Sequence, residues 1–273
     1  MSGPLIMAYD IECAPALVWT YDLWPKAIGI DQIVEHPRMV SFAAQFEQDG
    51  KRKSMVYRSE FHHGRTEMLD TLHGMFDKAD IVMGWNNRSF DDPYVMGEFA
   101  LEGMDRPSPF QSIDLMRVEK KHFRLMSRKL DYAARRFVDD QKDGVNALKI
   151  WLEIKELERQ IHEVGFGEGF DADLLADLNR RLKRLWDKFA RYNKQDVALL
   201  WKVRDEFLPW VDELNFNNFQ EDGVAQIVCA KCGSTNLHRR GLYRTGVSTF
   251  QVYRCEHGHQ TRALKRQSGA VGR

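Results

Sequence analysis

The apolar residues of the first 116 positions fall into short runs separated by turn signals, a pattern that predicts β-strands. The predicted strands are residues 4–12, 38–47, 52–58, 80–85 and 110–116. Asp49-Gly50 separates the second run from the third, and an Asp-Gly pair in this position favours a tight hairpin. Two stretches have helical spacing instead: residues 66–78, with Met68, Leu69, Leu72 and Phe76 on one face, and residues 93–103. This order of strands and helices predicts a mixed α/β domain.

The pattern becomes helical from about residue 117 to residue 208. Residues 146–163 predict an amphipathic, charged helix, and the glycine-rich stretch 165–170 predicts a break after it. Asp171 or Asp173 is placed to cap a long helix that runs to about Phe207.

Bulk composition limits the class of protein but leaves the partner open. The chain has 273 residues, which suits one large domain and a small one, and it has 40 Lys+Arg against 40 Asp+Glu. A net charge of zero argues neither for nor against a nucleic-acid partner, because only the distribution of the charges over the protein can indicate one. The N-terminal apolar run lacks the basic region and cleavage site of a secretion signal, and no run is long enough for a membrane helix. With only four cysteines, we expect a soluble, cytoplasmic protein without a membrane partner.

The first candidate site is Asp10-Ile11-Glu12, at the end of the first predicted strand. Residues i and i+2 of a strand point to the same face, so Asp10 and Glu12 repel each other unless a cation lies between them. Hard divalent cations such as Mg²⁺ prefer carboxylate oxygens. The alternative is a strand end that turns out to solvent.

The second candidate is the segment GWNNRSFDDPY at residues 84–94, which follows a predicted buried strand. Asp91 lies at the strand-to-helix junction, where α/β proteins form their sites. Asp92 precedes Pro93 and suits the role of a helix N-cap. Asp114, at the end of another predicted strand, is expected to have a strand-end or capping role.

The third candidate is Tyr192 with Asp196, four residues apart on the long helix and therefore on one face. Val197, Leu200 and Val203 mark the neighbouring buried stripe. An acid beside that stripe is either a solvated helix residue or is held there for a function.

Taken together and in this order, DIE, N-x-x-x-F-D-x-P-Y and Y-x-x-x-D resemble the three motifs of DEDD 3′→5′ exonucleases. The resemblance is closest to the exonuclease part of family B DNA polymerases and to stand-alone, phage-type relatives. It covers about residues 5–210, and Arg191 stands where the histidine branch of the family has His, which indicates the tyrosine branch. The fold that it implies is ribonuclease-H-like: a mixed five-stranded sheet flanked by helices.

The resemblance also implies roles for individual residues. Asp10, Glu12, Asp91 and Asp196 match the carboxylates that bind two Mg²⁺ or Mn²⁺ ions, and Tyr192 matches the tyrosine that orients the attacking water. Asn86 and Phe90 match residues that contact the terminal nucleotide. Two divalent ions about 3.5–4 Å apart can activate water and stabilise the leaving oxygen of a phosphodiester.

The expected activity is release of 5′-mononucleotides from the 3′ end of DNA, single-stranded or mismatched, in replication proofreading or DNA processing. A DNA polymerase or another replication protein is a candidate partner. The alternatives are a 3′→5′ exoribonuclease on the same fold and a non-catalytic nucleic-acid-binding protein.

A second metal site is indicated near the C-terminus. Cys229 and Cys232 form a C-x₂-C pair that is followed by Gly233, and Cys255 comes 22 residues after this glycine. His257 or His259 supplies the fourth metal ligand. This spacing is typical of a zinc ribbon with one structural Zn²⁺. In related zinc ribbons the second half reads C-x-x-C-G, and aligning Gly258 with that glycine slightly favours His257 as the fourth ligand. A Cys-x-x-x-His chelate, which would use His259, closes more easily. Only one of the two is expected to bind.

The predicted ribbon is basic although the whole chain is neutral. Its cations are Arg239, Arg240, Arg244, Arg254, Arg262, Lys265 and Arg266, and Tyr243, Phe250 and Tyr253 lie among them. This combination suits a nucleic-acid surface, or a solvated basic face with the aromatics as a small core. The predicted organisation is an exonuclease domain at 1–210, a linker at 211–226, the ribbon at 227–266 and a disordered tail at 267–273. Cys13 is expected to be a small residue that lines the site and not a nucleophile, and His62-His63 is expected to lie in a solvated loop.

Overall fold

A computed structural model describes residues 3–140, 147–166, 171–220 and 226–269, except for the side chains of Phe166 and of residues 264–269. The strands are β1 (Ile6–Ala14), β2 (Leu17–Val18), β3 (Ile33–Glu35), β4 (Arg38–Gln48), β5 (Lys51–Arg52), β6 (Val56–Ser59), β7 (Ile81–Gly84), β8 (Gln111–Asp114), β9 (Leu237–Arg244), β10 (Ser248–Cys255) and β11 (Gln260–Gly269). The helices are α1 (Glu60–His63), α2 (Arg65–Phe76), α3 (Asp91–Leu101), α4 (Leu115–His122), α5 (Leu130–Phe137), α6 (Ala147–Phe166) and α7 (Ala172–Phe207). None of the helices in these ranges is long and apolar enough to cross a lipid bilayer.

The main sheet is mixed and has the strand order β5-β4-β1-β7-β8, with β6 also paired to β4. β1 lies antiparallel to β4 and parallel to β7, and β7 lies parallel to β8. The predicted five-stranded arrangement is confirmed. The sixth strand arises because β5 and β6, two short strands, divide one edge position between them.

The hairpin predicted around Asp49-Gly50 is confirmed. Both residues have positive φ, 51° for Asp49 and 72° for Gly50, as a tight type I′ turn requires. The turn pairs Gln48 with Lys51 and so sets the register of β4 against β5.

Helices cover both faces of the sheet. On one face α2 and α3 pack on β1 and β4 through the predicted stripe, in which Met68, Leu69, Leu72 and Phe76 are all buried. On the other face α5 and α7 pack through the predicted residues Val197, Leu200 and Val203, each fully buried. α7 therefore carries its Tyr192–Asp196 turn across the sheet beside β1.

The first half of α7 packs along α6 and against Ala14 of β1 and Val40 of β4. Trp151, Leu157, Leu182 and Trp186 form its buried seam. Asp171 rather than Asp173 caps α7, since its carboxylate accepts from the backbone N–H groups of Asp173 and Leu174. Most of the predicted break at 165–170 lies outside the described residues.

His62 and His63 are not in a solvated loop, contrary to the prediction. They end α1, and the His62 ring lies between Ser59 Oγ at 2.9 Å and Asp187 Oδ1 at 3.1 Å. Asp187 comes from α7, 125 residues further along the chain. Local sequence does not reveal such a partner.

The C-terminal part is a three-stranded antiparallel sheet, β11-β10-β9, and hydrogen bonds attach the segment before it to residues 216 and 217. Phe216 N donates to Ala230 O at 3.0 Å, and the Asn217 side chain pairs with both the N–H and the C=O of Val228. Within the predicted linker 211–226, Val211 and Leu214 are buried in the main core. The boundaries of the domains stay a prediction.

The predicted disordered tail needs a correction. β11 continues to Gly269, so residues 267–269 are strand, paired with β10 at Ser248 and Thr249. Pairing with β10 gives the backbone of these residues hydrogen-bond partners, and a polar, basic sequence does not by itself indicate such pairing. Residues 270–273 lie outside the described part of the chain.

Candidate metal-dependent active site and zinc centre

Three of the predicted carboxylates converge at the middle of β1. Asp10 and Glu12 lie on one face of that strand, as their spacing predicts, and Asp196 reaches them from α7. One oxygen of each lies within 4.8 Å of the others. Three carboxylates at this separation repel strongly unless a cation binds between them, and an all-oxygen donor set suits a hard divalent cation.

Asp91 lies beside this group rather than within it. It begins α3, it is buried, and its Oδ1 accepts from the backbone N–H of Ile11 at 3.3 Å, between Asp10 and Glu12. Burial, helped by the charges of Asp92 and Asp114 and opposed by the hydrogen bond from the Ile11 N–H, raises the pKa of Asp91 to about 7. The structure thus brings the fourth carboxylate to the same strand without placing it among the three converging oxygens.

Tyr192 lies next to the three converging carboxylates. Burial raises the pKa of its phenol well above the ordinary value of 10.0, and the carboxylates of Asp196, Glu12 and Asp10 raise it in the same direction. The hydroxyl therefore keeps its proton at neutral pH. It can donate or accept a hydrogen bond but cannot act as a phenolate base.

The loop between β7 and α3 positions Asn86 and Phe90. A side chain at Gly84 would lie 2.6 Å from the Cβ of Asn87, so only glycine permits this close turn. Asn86 has a left-handed backbone with φ 64°, and its N–H donates to Asp114 Oδ1 at 2.9 Å. The Phe90 ring is 46% exposed, directly before Asp91. An exposed aromatic ring at the edge of the carboxylate group is available for stacking.

Asp114 has the capping role that was expected. Its carboxylate accepts from the N–H groups of Met116 and Arg117 at the start of α4, in addition to that of Asn86. One buried acid thus holds both the β7–α3 loop and the start of a helix.

Asp92 is not the N-cap of α3, contrary to the prediction. Phe90 occupies that position, and Asp92 lies inside the first turn. Its carboxylate accepts from Tyr9 Oη and Ser112 Oγ, both at 2.6 Å, and from Asn87 Nδ2 at 3.1 Å. These bonds tie the turn that presents Asp91 to β1 and β8, and long-range partners override the local capping preference.

Sequence reasoning also missed Asn193, which is fully buried on α7. Its Nδ2 donates to Asp10 Oδ2 at 2.8 Å and to Asp10 O at 3.2 Å, while its Oδ1 lies 3.4 Å from Ser41 Oγ. The available signal was its place three residues before Asp196, on the same helical face. Asn193 orients the Asp10 carboxylate toward the centre.

The C-terminal cluster has the donors of a zinc site. Cys229, Cys232, Cys255 and His259 each place a ligand atom within 4.8 Å of the others. The Cys232 thiol and the backbone N–H groups of Lys231 and Cys232 lower the pKa of Cys229, while the hydrogen bond to Cys229 and burial raise the pKa of Cys232. Cys229 is therefore the first sulfur to become the thiolate that a metal binds.

The geometry favours His259 over His257 as the fourth donor, which reverses the slight preference from the sequence. The backbone turns at Gly258, with φ 84°, and Cys255 N donates to His259 O at 3.0 Å. His259 Nδ1 is buried and has no hydrogen-bond partner among the described residues, as expected of a ligand nitrogen. The His257 side chain is 60% exposed, although its Nδ1 lies 3.5 Å from Cys232 Sγ.

A family model of the RNase_H superfamily matches residues 35–208 of the chain. The match covers β4 to α7 and so includes Asp91, Tyr192 and Asp196, whereas Asp10 and Glu12 precede it. No curated protein shows a significant match to the chain.

Proposed function

Because the chain belongs to the RNase H superfamily, we propose that it is a metal-dependent 3′→5′ exonuclease that removes nucleotides from DNA ends. Nucleases that use divalent metals are common in this superfamily. The observation that carries the proposal is the convergence of Asp10, Glu12 and Asp196 beside Tyr192, with Asp91 anchored on the same strand.

Asp10, Glu12 and Asp196 would hold Mg²⁺ or Mn²⁺, and Asp91 would complete the set for a second ion. When bound, such ions activate a water molecule and stabilise the leaving oxygen of the phosphodiester. Tyr192, protonated at neutral pH, orients the attacking water through a hydrogen bond. Asn193 keeps the Asp10 carboxylate turned inward by donating to its Oδ2.

The loop that carries Asp91 offers groups that can hold the terminal nucleotide. The exposed Phe90 ring stacks on the terminal base, and Asn86 offers an amide to the same nucleotide. Base–aromatic stacking contributes roughly 1–3 kcal/mol and tolerates any base, so sequence preference is weak. A 3′ end that is single-stranded or mismatched is the best substrate, because a paired end must first separate. This setting suits replication proofreading or DNA processing beside a polymerase.

We further propose that Cys229, Cys232, Cys255 and His259 hold one structural Zn²⁺. A domain of about 40 residues buries too little apolar surface to fold on that alone, and zinc supplies the missing stability.

The decisive experiment compares single-stranded DNA labelled at its 3′ or 5′ end, with Mg²⁺ or Mn²⁺ present. We expect immediate release of the 3′ label as a mononucleotide and a descending ladder from the 5′-labelled strand. Asp10→Ala is the inactive control, and exposed Asp70→Asn on α2 is the active one.

Two further substrates separate the rival activities. A circular single strand should survive, and cutting of circles as fast as linear strands would identify an endonuclease. RNA of the same sequence should be degraded more slowly, and a preference for RNA would assign the protein as an exoribonuclease. Binding without any hydrolysis would leave only a nucleic-acid-binding role.

A further inference from the structure

The formal charge of the chain is strongly divided, although its sum is zero. Residues 227–273 contain nine Lys and Arg residues and one acid, Glu256, which gives +8. The preceding 226 residues therefore carry −8. The part that holds the catalytic carboxylates thus repels a phosphate backbone, while the C-terminal sheet attracts it.

The arginines of the two parts also differ in how they are paired. Ten of the seventeen arginines before residue 221 form ion pairs with carboxylates of the same chain: Arg38, Arg52, Arg58, Arg65, Arg88, Arg128, Arg135, Arg159, Arg180 and Arg204. Among the described residues, no arginine of the C-terminal sheet has such a partner: Arg239, Arg240, Arg244, Arg254 and Arg262. All five are exposed. Arg254 Nε donates to the Gly258 carbonyl oxygen at 3.2 Å, but no carboxylate of the described residues neutralises any of the five charges, so they remain available to an outside anion.

One face of this sheet is built like a binding surface. The Arg262 guanidinium lies 4.9 Å from the ring centroids of both Tyr243 and Phe250. Phe250 and Arg254 alternate onto the same face of β10, because they are four residues apart on a strand. The opposite face carries the buried Gln251 and Thr261, and Thr261 bonds the backbone of the zinc cluster at Ala230. We call Tyr243, Phe250, Arg254 and Arg262 the open face.

We propose that the open face binds the sugar–phosphate backbone of the same nucleic acid strand whose 3′ end occupies the carboxylate site. The rings hold Arg262 with its guanidinium pre-oriented, so little side-chain entropy is lost when it pairs with a phosphate. An acidic protein could also bind these arginines, but the aromatic rings between them favour a partner whose bases can stack on them.

The position of the ribbon relative to β1 determines which nucleotides of the nucleic acid the open face can contact. The Phe216 ring lies against both Gly3 and Gly233, so the ribbon sits near the beginning of β1. Asp10 and Glu12 lie four and six residues further along that strand, roughly 13 and 20 Å from Ile6 at about 3.3 Å per residue. This distance corresponds to roughly four to six nucleotides stacked at 3.4 Å each, and to fewer in an extended strand. The open face therefore contacts nucleotides upstream of the terminus, and a dinucleotide does not reach it.

The test measures binding separately from hydrolysis, because the inference rests on the proposed function. Arg254→Gln with Arg262→Gln is compared with Arg180→Gln, an exposed arginine of α7 that is paired with Asp177. Each is made in an Asp91→Asn background, and the anisotropy of a labelled 20-nucleotide DNA strand is followed over a range of salt. Removing two phosphate contacts should weaken binding roughly 10- to 30-fold near 0.1 M salt and lower the slope of log K against log salt by about 1.4. Arg180→Gln should change neither quantity.

The outcomes distinguish this inference from the proposed function. With Asp91 restored, the double variant should hydrolyse a dinucleotide at the wild-type rate and the 20-nucleotide strand more slowly at low substrate. Unchanged affinity and slope, with normal 3′ degradation, would overturn the inference and leave the exonuclease proposal standing. If the double variant shows the expected loss of affinity but the wild-type protein hydrolyses no DNA, the inference about the open face would stand and the exonuclease proposal would fail. Zinc content of one per chain confirms that the ribbon of the double variant is folded. Using Arg262→Lys in place of Arg262→Gln should recover about half of the lost slope, because it restores one of the two charges.

Discussion

Replacing Asp91 by Asn should reduce the fall in stability with rising pH in protein freed of Mg²⁺ and Mn²⁺. The folded protein holds the Asp91 proton up to about pH 7, whereas the unfolded chain releases it near the ordinary value of 3.8. Between these values the folded state binds more protons than the unfolded state, so wild-type stability falls as pH rises. Asn has nearly the same shape and still accepts from the Ile11 N–H, but it carries no charge.

The size of the effect follows from the two pKa values. At about 1.36 kcal/mol for each pH unit, a carboxyl displaced from 3.8 to about 7 destabilises the folded state by up to about 4 kcal/mol once it is ionised. Asp91→Asn should therefore match the wild type near pH 4 and exceed it increasingly up to pH 8. Other titratable groups, such as Asp114, whose pKa burial also raises, contribute in both proteins, and the difference between the two curves removes most of their contribution.

Urea unfolding followed by far-ultraviolet circular dichroism at several pH values provides the measurement. Asp70→Asn, an exposed acid on α2, is the matched control and should follow the wild-type curve. If Asp91→Asn and the wild type lose stability in parallel from pH 4 to pH 8, Asp91 is already ionised in the folded protein and the reasoning is wrong.

Three further predictions concern the two metal sites. Tyr192→Phe should lower the single-turnover rate by about 10²-fold with little change in DNA binding, and an unchanged rate would exclude an orienting role. Asn193→Ala should raise the Mg²⁺ concentration needed for half-maximal activity by about 10-fold or more, as expected for a partner that orients a ligand, and saturating Mg²⁺ should restore the rate; a loss that no Mg²⁺ restores would contradict positioning of Asp10. Cys229→Ser with Cys232→Ser should release one zinc per chain, measured by elemental analysis, while thermal unfolding of the main domain is retained; full zinc content would refute the ligand assignment.

Local patterns were sufficient for much of the fold. The Asp49-Gly50 turn and the stripe on α2 depend on neighbours within a few residues, so sequence spacing predicts them well. The same holds for Asp10 and Glu12, because strand alternation alone places them on one face. Asp196 could be associated with them only through the resemblance to a known family, since α7 reaches β1 by tertiary packing.

What the sequence did not reveal depends on partners distant along the chain. Asp92 looks like a cap when read beside Pro93, yet Tyr9, 83 residues earlier, and Ser112, 20 residues later, take its carboxylate. Asn193 looks like an ordinary polar helix residue until it is seen against Asp10. In each case a hydrogen bond across the fold outweighs the local preference of the residue.

The division of charge between the two parts of the chain also governs how copies meet in solution. With −8 on residues 1–226 and +8 on the remainder, each molecule is electrically polar even where its net charge vanishes near neutral pH. At low ionic strength, the basic end of one copy attracts the acidic surface of another, and no net repulsion opposes this contact. Screening within about 10 Å at 0.1 M salt weakens that attraction. Light scattering should therefore show association that disappears on adding salt, and a short DNA strand should have the same effect by competing for the basic end.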